Sequence, residues 1–334
     1  MKRSVYIRYT SLFCEQVEKS LQKIGKEFDY DFVKDDRWDE VDVIWKPVTY
    51  GVEYKLMLNL KAFNNFLTSH KTLTEKLSLI QTGKYVYGDA FFLLHPISAK
   101  CPDIPIIPQD MVGLGKYGWL TKPSKNFGGK GIEIFWDRQD LKQSISKYDN
   151  EPRVVQKYIE HPLLFQERKF DLRVLVLLTC DKVYYHDSCY ARVAPNKYFP
   201  GGKALKTHLT NITLNGEEGT LYTLPEIQET GVTIEKIAKF LTELKPMFVH
   251  AQGVEKLQRE KDNVKFDTFE LLGVDIMFDK TENIWLLEIN KEPAFKSEGF
   301  YAEMGPKIIG DTLKEAIFFK WKPEQRTPTQ FHEF

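Results

Sequence analysis

The sequence predicts an α/β chain, in the mixed α+β sense, read as three successive lobes. Three observations carry this. Short β-rich runs alternate with segments whose apolar residues recur every three or four positions, the two periods that separate strand from helix. A strand, a helical pattern and a second strand succeed one another before residue 46, the usual way of joining a parallel pair. A glycine-rich turn lies between two β-rich runs near the middle of the chain. The 334 residues, at roughly 150 residues per domain, leave room for two domains or for three lobes sharing a site.

Taken in order, residues 5–9 read as a strand. Phe13, Val17, Leu21 and Ile24 form the apolar stripe of a following helix, and residues 41–45 form the next strand. This N-terminal lobe is expected to span 1–70. A central lobe, 71–157, opens with a helical pattern at 74–80 and passes through Pro96, Pro102, Pro105 and Pro108. It then carries strands at 118–122 and 132–136 flanking the glycine turn, a polar helix at 137–147 and a strand at 153–156. A C-terminal lobe, 158–334, holds strands at 170–180, 182–187, 269–278 and 284–289 and helices near 234–248 and 305–319. Cys180-Asp181 between two β-rich runs predicts a hairpin. Residues 327–334 are expected to be a poorly ordered tail.

Hydrophobic residues make up 42% of the chain and charged residues 28%, a globular composition that excludes a wholly disordered or fibrous chain. Forty-seven Lys and Arg balance forty-seven Asp and Glu, so net charge gives no reason to expect a nucleic-acid binder. The longest apolar run, 174–178, is far below the ~20 residues of a membrane helix, and the basic start is not followed by a secretion-type apolar stretch. Four cysteines without a C-x-x-C pair read as reduced thiols rather than a zinc or redox site. The expectation is a soluble, cytoplasmic protein.

Three constellations carry chemistry. In the first, Lys122 on a strand precedes Gly128, Gly129 and Gly131. Glycines without Cβ let backbone amides approach phosphate oxygens, and the lysine adds a point charge. The stretch is neither a P-loop nor a Rossmann turn, because the spacing and the following strand are wrong. Standing alone it also reads as a hairpin turn with a surface lysine. In the second, Asp275 lies on one strand while Glu288 and Asn290, two apart, share one face of the next. If those strands pair, three oxygen donors form a hard-cation site of the kind Mg²⁺ prefers beside nucleotide phosphates. Strict alternation puts Trp285, Leu287 and Ile289 on the opposite face. A carboxylate at a strand end is otherwise a solvated edge group. In the third, an extended segment at 154–160 offers backbone groups to a purine edge. Beyond it Arg173 opens a very apolar strand, where an unpaired guanidinium is costly, so it faces a polar cleft or pairs with an anion. Arg192 lies one hairpin onward, and structural ion pairs remain the plain alternative for both.

In chain order these are a glycine flap, a purine hinge, an arginine pair and metal carboxylates. That order resembles the ATP-grasp ligases and, within them, the tubulin–tyrosine ligase-like family, over roughly residues 70–320. The motifs concerned are Trp119-Leu120-Thr121-Lys122-Pro123 with Gly129-Lys130-Gly131-Ile132, Val155-Gln156-Lys157-Tyr158-Ile159, Arg168-Lys169-Phe170-Asp171-Leu172-Arg173, Thr207-His208-Leu209-Thr210-Asn211, and Gly273-Val274-Asp275 with Leu287-Glu288-Ile289-Asn290. The resemblance implies an ATP-grasp fold, three lobes around one nucleotide cleft. It implies that Lys122, under Gly128 and Gly129, contacts nucleotide phosphates. Gln156, Lys157, Tyr158 and Ile159 would hold adenine, with Lys169 and Asp171 completing the pocket. Arg173 and Arg192 would face the amino acid or an acyl-phosphate, Thr210 and Asn211 would border the same cavity, and Asp275, Glu288 and Asn290 match magnesium ligands. Lys76 matches a lysine near the reaction centre.

For activity, the resemblance implies an ATP- and Mg²⁺-dependent ligase that modifies a protein carboxylate through an acyl-phosphate, with glutamylation of tubulin tails as the first expectation. Tyrosine or glycine ligation, an acceptor other than tubulin and a catalytically silent nucleotide-binding module stand beside it. The implied partners are tubulin or another protein with an acidic tail and a free amino acid (Glu, Tyr or Gly). Neither nucleic acid nor membrane is expected, and the protein is expected to be a monomer, cytoskeleton-associated through its partner. Many similar proteins carry a polar residue where Gly128 stands, and some carry a long basic extension that grips microtubules; without that extension, action on the assembled lattice is expected to need a partner. Lys197, Lys203 and Lys206 are candidates to hold an acidic tail, or else ordinary lysines of a solvated loop.

Overall fold

The computed structural model describes residues 3–7, 19–20, 22–24, 30–33, 43–45, 63–64, 70–104, 118–125, 128–148, 152–202, 204–216, 219–291, 293, 295 and 299–334. Lys203, Pro105, Pro108 and most of the first expected helix, with Phe13, Val17 and Leu21, lie outside them.

Three sheets organise the described chain. The first is parallel, with β1 (Arg3–Ile7) between β2 (Tyr30–Val33) and β3 (Val43–Trp45), and β4 (Phe63–Asn64) beyond β3. The expected pairing of the first and 41–45 strands is present, and β2 is an addition to it. The second sheet is antiparallel in the order β5 (Ser98–Lys100), β8 (Arg153–Lys157), β6 (Trp119–Pro123), β7 (Glu133–Phe135). Between β7 and β8 runs α2 (Arg138–Ile145), whose N-terminal amides of Gln139 and Asp140 donate to the Asp137 carboxylate at 2.6 and 3.3 Å, a helix-starting cap. The preceding helix, α1 (Lys76–Tyr87), packs against β5 and β8 and also against β15 (Ile284–Lys291) of the third sheet.

The third sheet is built on β10 (Arg168–Thr179). Its first half pairs with β12 (Tyr190–Lys197) and its second half with β11 (Val183–His186), the expected hairpin. β9 (Leu164–Phe165) and β14 (Phe269–Phe278) lie on its other edge, followed by β15 (Ile284–Lys291); β13 (Thr220–Thr223) extends β12. Both faces are covered, which is why these strands read as continuous apolar runs. On one face Phe170, Leu172, Val174, Val176 and Leu178 meet Ile237, Phe240, Leu241, Leu244 and Phe248 of α3 (Ile234–Lys261). On the other, Leu175 and Leu177 meet Ile308, Ile309 and Leu313 of α4 (Phe300–Leu313). Toward the start of β10 that second face carries Lys169, Asp171 and Arg173 instead, so the same row of alternate residues runs from core into cleft.

The expectation of a poorly ordered tail at 327–334 is corrected. β16 (Phe331–Glu333) pairs antiparallel with β11, Phe331 is buried, and Phe334 packs at 6.1 Å from Phe248. A sheet edge with an apolar flank gives the segment a backbone partner and a packing surface, and both outweigh its terminal position. Among the described residues no helix is long and apolar enough to cross a membrane.

Candidate active site

A cleft of about 810 Å³ lies between the second and third sheets. Lys76, Lys122, Gly128, Gly129, Gln156, Lys157, Tyr158, Ile159, Lys169, Asp171, Arg192, Thr210, Asn211, Asp275 and Glu288 all border it. Arg173 and Asn290 border an adjoining cavity of about 520 Å³, which shares Gly128, Arg192, Asn211 and Glu288 with the cleft. Every candidate residue named from the sequence for the nucleotide, metal and reaction centre is therefore on one of two connected surfaces.

Sheet register brings the charges together. Asp171 faces Arg192 across β10 and β12, Arg173 faces Asp275 across β10 and β14, and Asp275 faces Glu288 across β14 and β15. Arg192 donates to both oxygens of Asp171 at 2.7 and 2.6 Å and reaches Asp275 at 2.8 Å. Arg173 donates to Asp275 from Nε at 2.5 Å and Nη2 at 3.2 Å. The Thr210 hydroxyl completes the Asp171 set at 2.7 Å. Burial works against charge on both guanidiniums, but the facing carboxylates win and hold them above the usual arginine range. Arg173 also needs Gly273 beneath it: a Cβ there would stand 2.8 Å from Arg173 Cδ.

Strict alternation along β15 is corrected. The ladder shifts between Asp275 and Ile276, so that Asp275 pairs with Glu288 and Ile276 with Leu286. Leu287 is the extra residue of this bulge, and it lines the cleft with Glu288 while Leu286 and Ile289 enter the core. A one-residue insertion reverses the facing of everything before it. It also turns the Leu287 carbonyl to accept from Lys122 Nζ at 3.2 Å, tying the strand before the glycine turn to the carboxylate strand.

Glu288 sits 3.5 Å from Lys76 Nζ. Burial raises its carboxyl, but Lys76, Lys122 and Arg192 outweigh burial and hold it near 2. Lys122 is pushed down to about 8, chiefly by burial, with Glu288 pulling the other way. The Asn290 amide nitrogen donates to Asp275 at 3.0 Å and to Glu288 at 3.3 Å. A positively polarised group already bridges the two carboxylates, and a half-turn of that amide would offer a third oxygen. Among the described residues no three His, Cys, Asp or Glu side chains cluster for a metal. Two carboxylates and an amide nevertheless suit Mg²⁺, which takes few protein ligands and completes its shell with water and phosphate oxygens.

The glycine turn closes the cleft. Gly128, Gly129 and Gly131 have φ of +67°, +79° and +74°, a region side-chain-bearing residues avoid, and a Cβ on Gly128 would stand 2.9 Å from Thr213 Cβ. Any side chain at position 128, including the polar one the resemblance leads one to expect, would be strained in this backbone. Behind the turn, Arg153 donates to the Gly131 carbonyl and to Thr121 Oγ1, and its guanidinium lies 4.1 Å from the Tyr148 ring. Sequence reasoning did not single out Arg153.

At the other end Lys169 donates to the Tyr158 hydroxyl at 2.8 Å and lies 4.1 Å from its ring. His208 Nδ1 is 2.9 Å from the same hydroxyl and Nε2 is 2.9 Å from the Gly202 carbonyl. A carbonyl only accepts, so Nε2 carries the proton. Burial and Lys169 hold His208 down at about 4, so Nδ1 accepts from Tyr158. Burial alone drives Lys169 to about 7 against the pull of Asp171. His208, Leu287, Tyr190 and Tyr301 border the two cavities without having been candidates. His208 stood inside a quoted motif; Tyr301 comes from α4 and carries no signal in its own neighbourhood. Of the lysines proposed for an acidic tail, Lys197 is exposed and paired with Glu167, and Lys206 is exposed.

Two antiparallel sheets gripping a cleft, with a glycine turn from one over basic and carboxylate rungs of the other, define the ATP-grasp class of fold. Within that class the chain belongs to the tubulin-tyrosine ligase family, whose family model matches residues 113–327. It is 27% identical over 213 residues to tubulin glycylase 3D of Tetrahymena thermophila, covering 59% of this chain and 20% of that protein. It is 27% identical over 237 residues to protein polyglycylase TTLL10 of Macaca fascicularis, covering 60% and 38%. It is 28% identical over 199 residues to probable tubulin polyglutamylase ttll-9 of Caenorhabditis elegans, covering 53% and 46%. The chain thus spans less than half the length of each of these relatives.

Proposed function

We propose that this chain uses ATP and a divalent cation to join an amino acid to a carboxylate of an acidic protein tail, with tubulin the first acceptor to test and glycine the first amino acid. The observation that carries this reading is the convergence of Lys76, Lys122, Arg192, Asp275 and Glu288 on one cleft beneath a glycine turn. The choice of glycine draws on the relatives, two of which are named as glycylases. Glutamate, the first expectation from the sequence, has one relative of matching name behind it and moves to second place. The division into lobes at 1–70, 71–157 and 158–334 belongs to the same reading.

In this mechanism the acceptor carboxylate attacks the γ-phosphorus, ADP departs, and the amine of the amino acid attacks the acyl carbon and releases phosphate. Asp275, Glu288 and Asn290 would hold Mg²⁺, which when bound neutralises phosphoryl charge. Lys122 and Lys76 place positive charge beside the phosphates. The glycine turn lays backbone amides over the triphosphate and keeps water from the acyl-phosphate. Arg173 and Arg192, held in place by Asp275 and Asp171, present guanidinium edges to the second cavity, where the amino-acid carboxylate and the developing oxyanion would sit. Positioning and charge stabilisation suffice, so no nucleophilic side chain is required.

The test is incubation of the protein with tubulin, Mg-ATP and glycine, glutamate or tyrosine singly, read by intact-mass shift of the tubulin and by ADP release. A glycine-mass ladder is the expected outcome. ATP binding without amino-acid-dependent ADP release would replace the ligase with a silent nucleotide-binding module.

A further inference from the structure

Gln156 on β8 is buried, and its amide nitrogen lies 3.2 Å from His95 Nε2 and 2.9 Å from Ser98 Oγ. Which end of the amide occupies that place is settled by counting protons. Ser98 Oγ is 2.7 Å from the Pro96 carbonyl, which only accepts, so the single hydroxyl proton is committed there and the oxygen must accept from Gln156. His95 Nδ1 is 2.8 Å from the same carbonyl, so the ring proton sits on Nδ1. Burial, aided by the charge of Lys122, holds the ring neutral with a pKa near 3, leaving a lone pair on Nε2. Stacking on Phe91, with centroids 5.0 Å apart and planes 15° apart, fixes the ring. Two acceptors therefore face the Gln156 amide. The –NH₂ end, with its two protons, satisfies both, whereas the carbonyl end would meet two lone pairs. The Gln156 carbonyl is thereby left without either of these partners, on a residue that lines the cleft.

We infer that His95 and Ser98 are positioning residues that hold the Gln156 carbonyl toward the cleft, so that the site selects a purine with an amino group at C6 and disfavours one with an oxo group there. An adenine amino group donates to that carbonyl. The C6 oxygen of hypoxanthine or guanine would face it acceptor to acceptor. The inference rests on the reading of this cleft as a nucleotide site.

The experiment measures binding of Mg-ATP and Mg-ITP to the whole protein by calorimetry, for the wild type, Ser98→Ala, His95→Phe and the double variant, with thermal melts to show that each variant is folded. The wild type is expected to prefer ATP by about 10- to 100-fold, the scale of one buried mismatched polar pair. Each single variant leaves one acceptor facing the amide and is expected to lower the ATP:ITP ratio in part. His95→Phe, which keeps the stack on Phe91, combined with Ser98→Ala removes both, and there the ratio is expected to fall toward one while ATP still binds. Loss of the fold alone would not move that ratio. An unchanged ratio in the folded variants overturns the inference, as does equal binding of ATP and ITP by the wild type, and either result leaves the nucleotide site standing. If the wild type binds neither, the nucleotide reading fails and this inference falls with it. Should His95→Phe not fold, the wild type and Ser98→Ala decide.

Discussion

Gly273→Ala is the sharpest perturbation of the charge ladder, because it adds one methyl where Arg173 lies flat on β14. The new Cβ would stand 2.8 Å from Arg173 Cδ, 2.9 Å from Nη1 and 3.0 Å from Nε. Ordinary contact lies near 3.5–4.0 Å, so the side chain must retreat by about 0.7–1 Å. The bonds to Asp275, now 2.5 and 3.2 Å, then stretch, and the longer one breaks. Overpacking costs about 1–3 kcal/mol, and a charge-assisted hydrogen bond is worth about 1.5–3 kcal/mol. Arg192 remains 2.8 Å from Asp275 and offsets part of this, so the expected loss is about 2–4 kcal/mol, read as a lower urea midpoint at constant slope. The KM for the amino acid is expected to rise while ATP affinity changes little. The same substitution at Gly253 in α3, where nothing lies within 4 Å of the new Cβ, is expected to stabilise by about 0.5–1 kcal/mol. A Gly273→Ala protein as stable as wild type would refute the argument that bare backbone at this position seats Arg173.

Glu288→Gln is expected to slow turnover by about two to three orders of magnitude, the scale of removing a key electrostatic group, and an unchanged rate in a steady-state ADP-release assay would dismiss its role. Lys169, held at about 7, loses its charge in the free protein as pH rises through neutrality. Nucleotide binding is then expected to take up a proton, with affinity falling from pH 6.5 to 8.5 and calorimetric heats that vary with the buffer's ionisation enthalpy; buffer-independent heats at pH 7.5 would exclude this. For the unliganded protein the sign is opposite. Between about 7 and 10.5 the unfolded chain binds this proton and the native state does not, so the Lys169 contribution to stability rises with pH there. Phe331→Ala is expected to cost about 3 kcal/mol or more, as for other buried aromatics, and a denaturation midpoint equal to wild type would restore the picture of a loose tail.

Much of the architecture was legible in the sequence because its signals are local. The Phe269–Phe278 strand was expected within the same bounds, since an apolar run bounded by polar residues states its own length. The helix from residue 234 was expected to stop near 248, yet it runs to Lys261, because its later turns are largely polar and their periodicity is weak. β12 and β13 were missed altogether; their short mixed sequences become strands by pairing with β10 and with each other.

The sequence by itself determined which residue types were available: lysine before a glycine turn, alternating Lys169, Asp171 and Arg173, and carboxylates on two apolar strands. Those are set by spacing along the chain, since the period of a strand fixes which neighbours share a face. Only the tertiary structure decided how the charges are matched. Cross-strand register set Arg192 on Asp171 and Arg173 on Asp275, and a bulge turned Leu287 with Glu288 into the cleft. It also placed His95 and Ser98 behind Gln156. Those contacts join residues far apart in the chain, and their energies depend on burial and on protons shared through space, neither of which is written in local spacing.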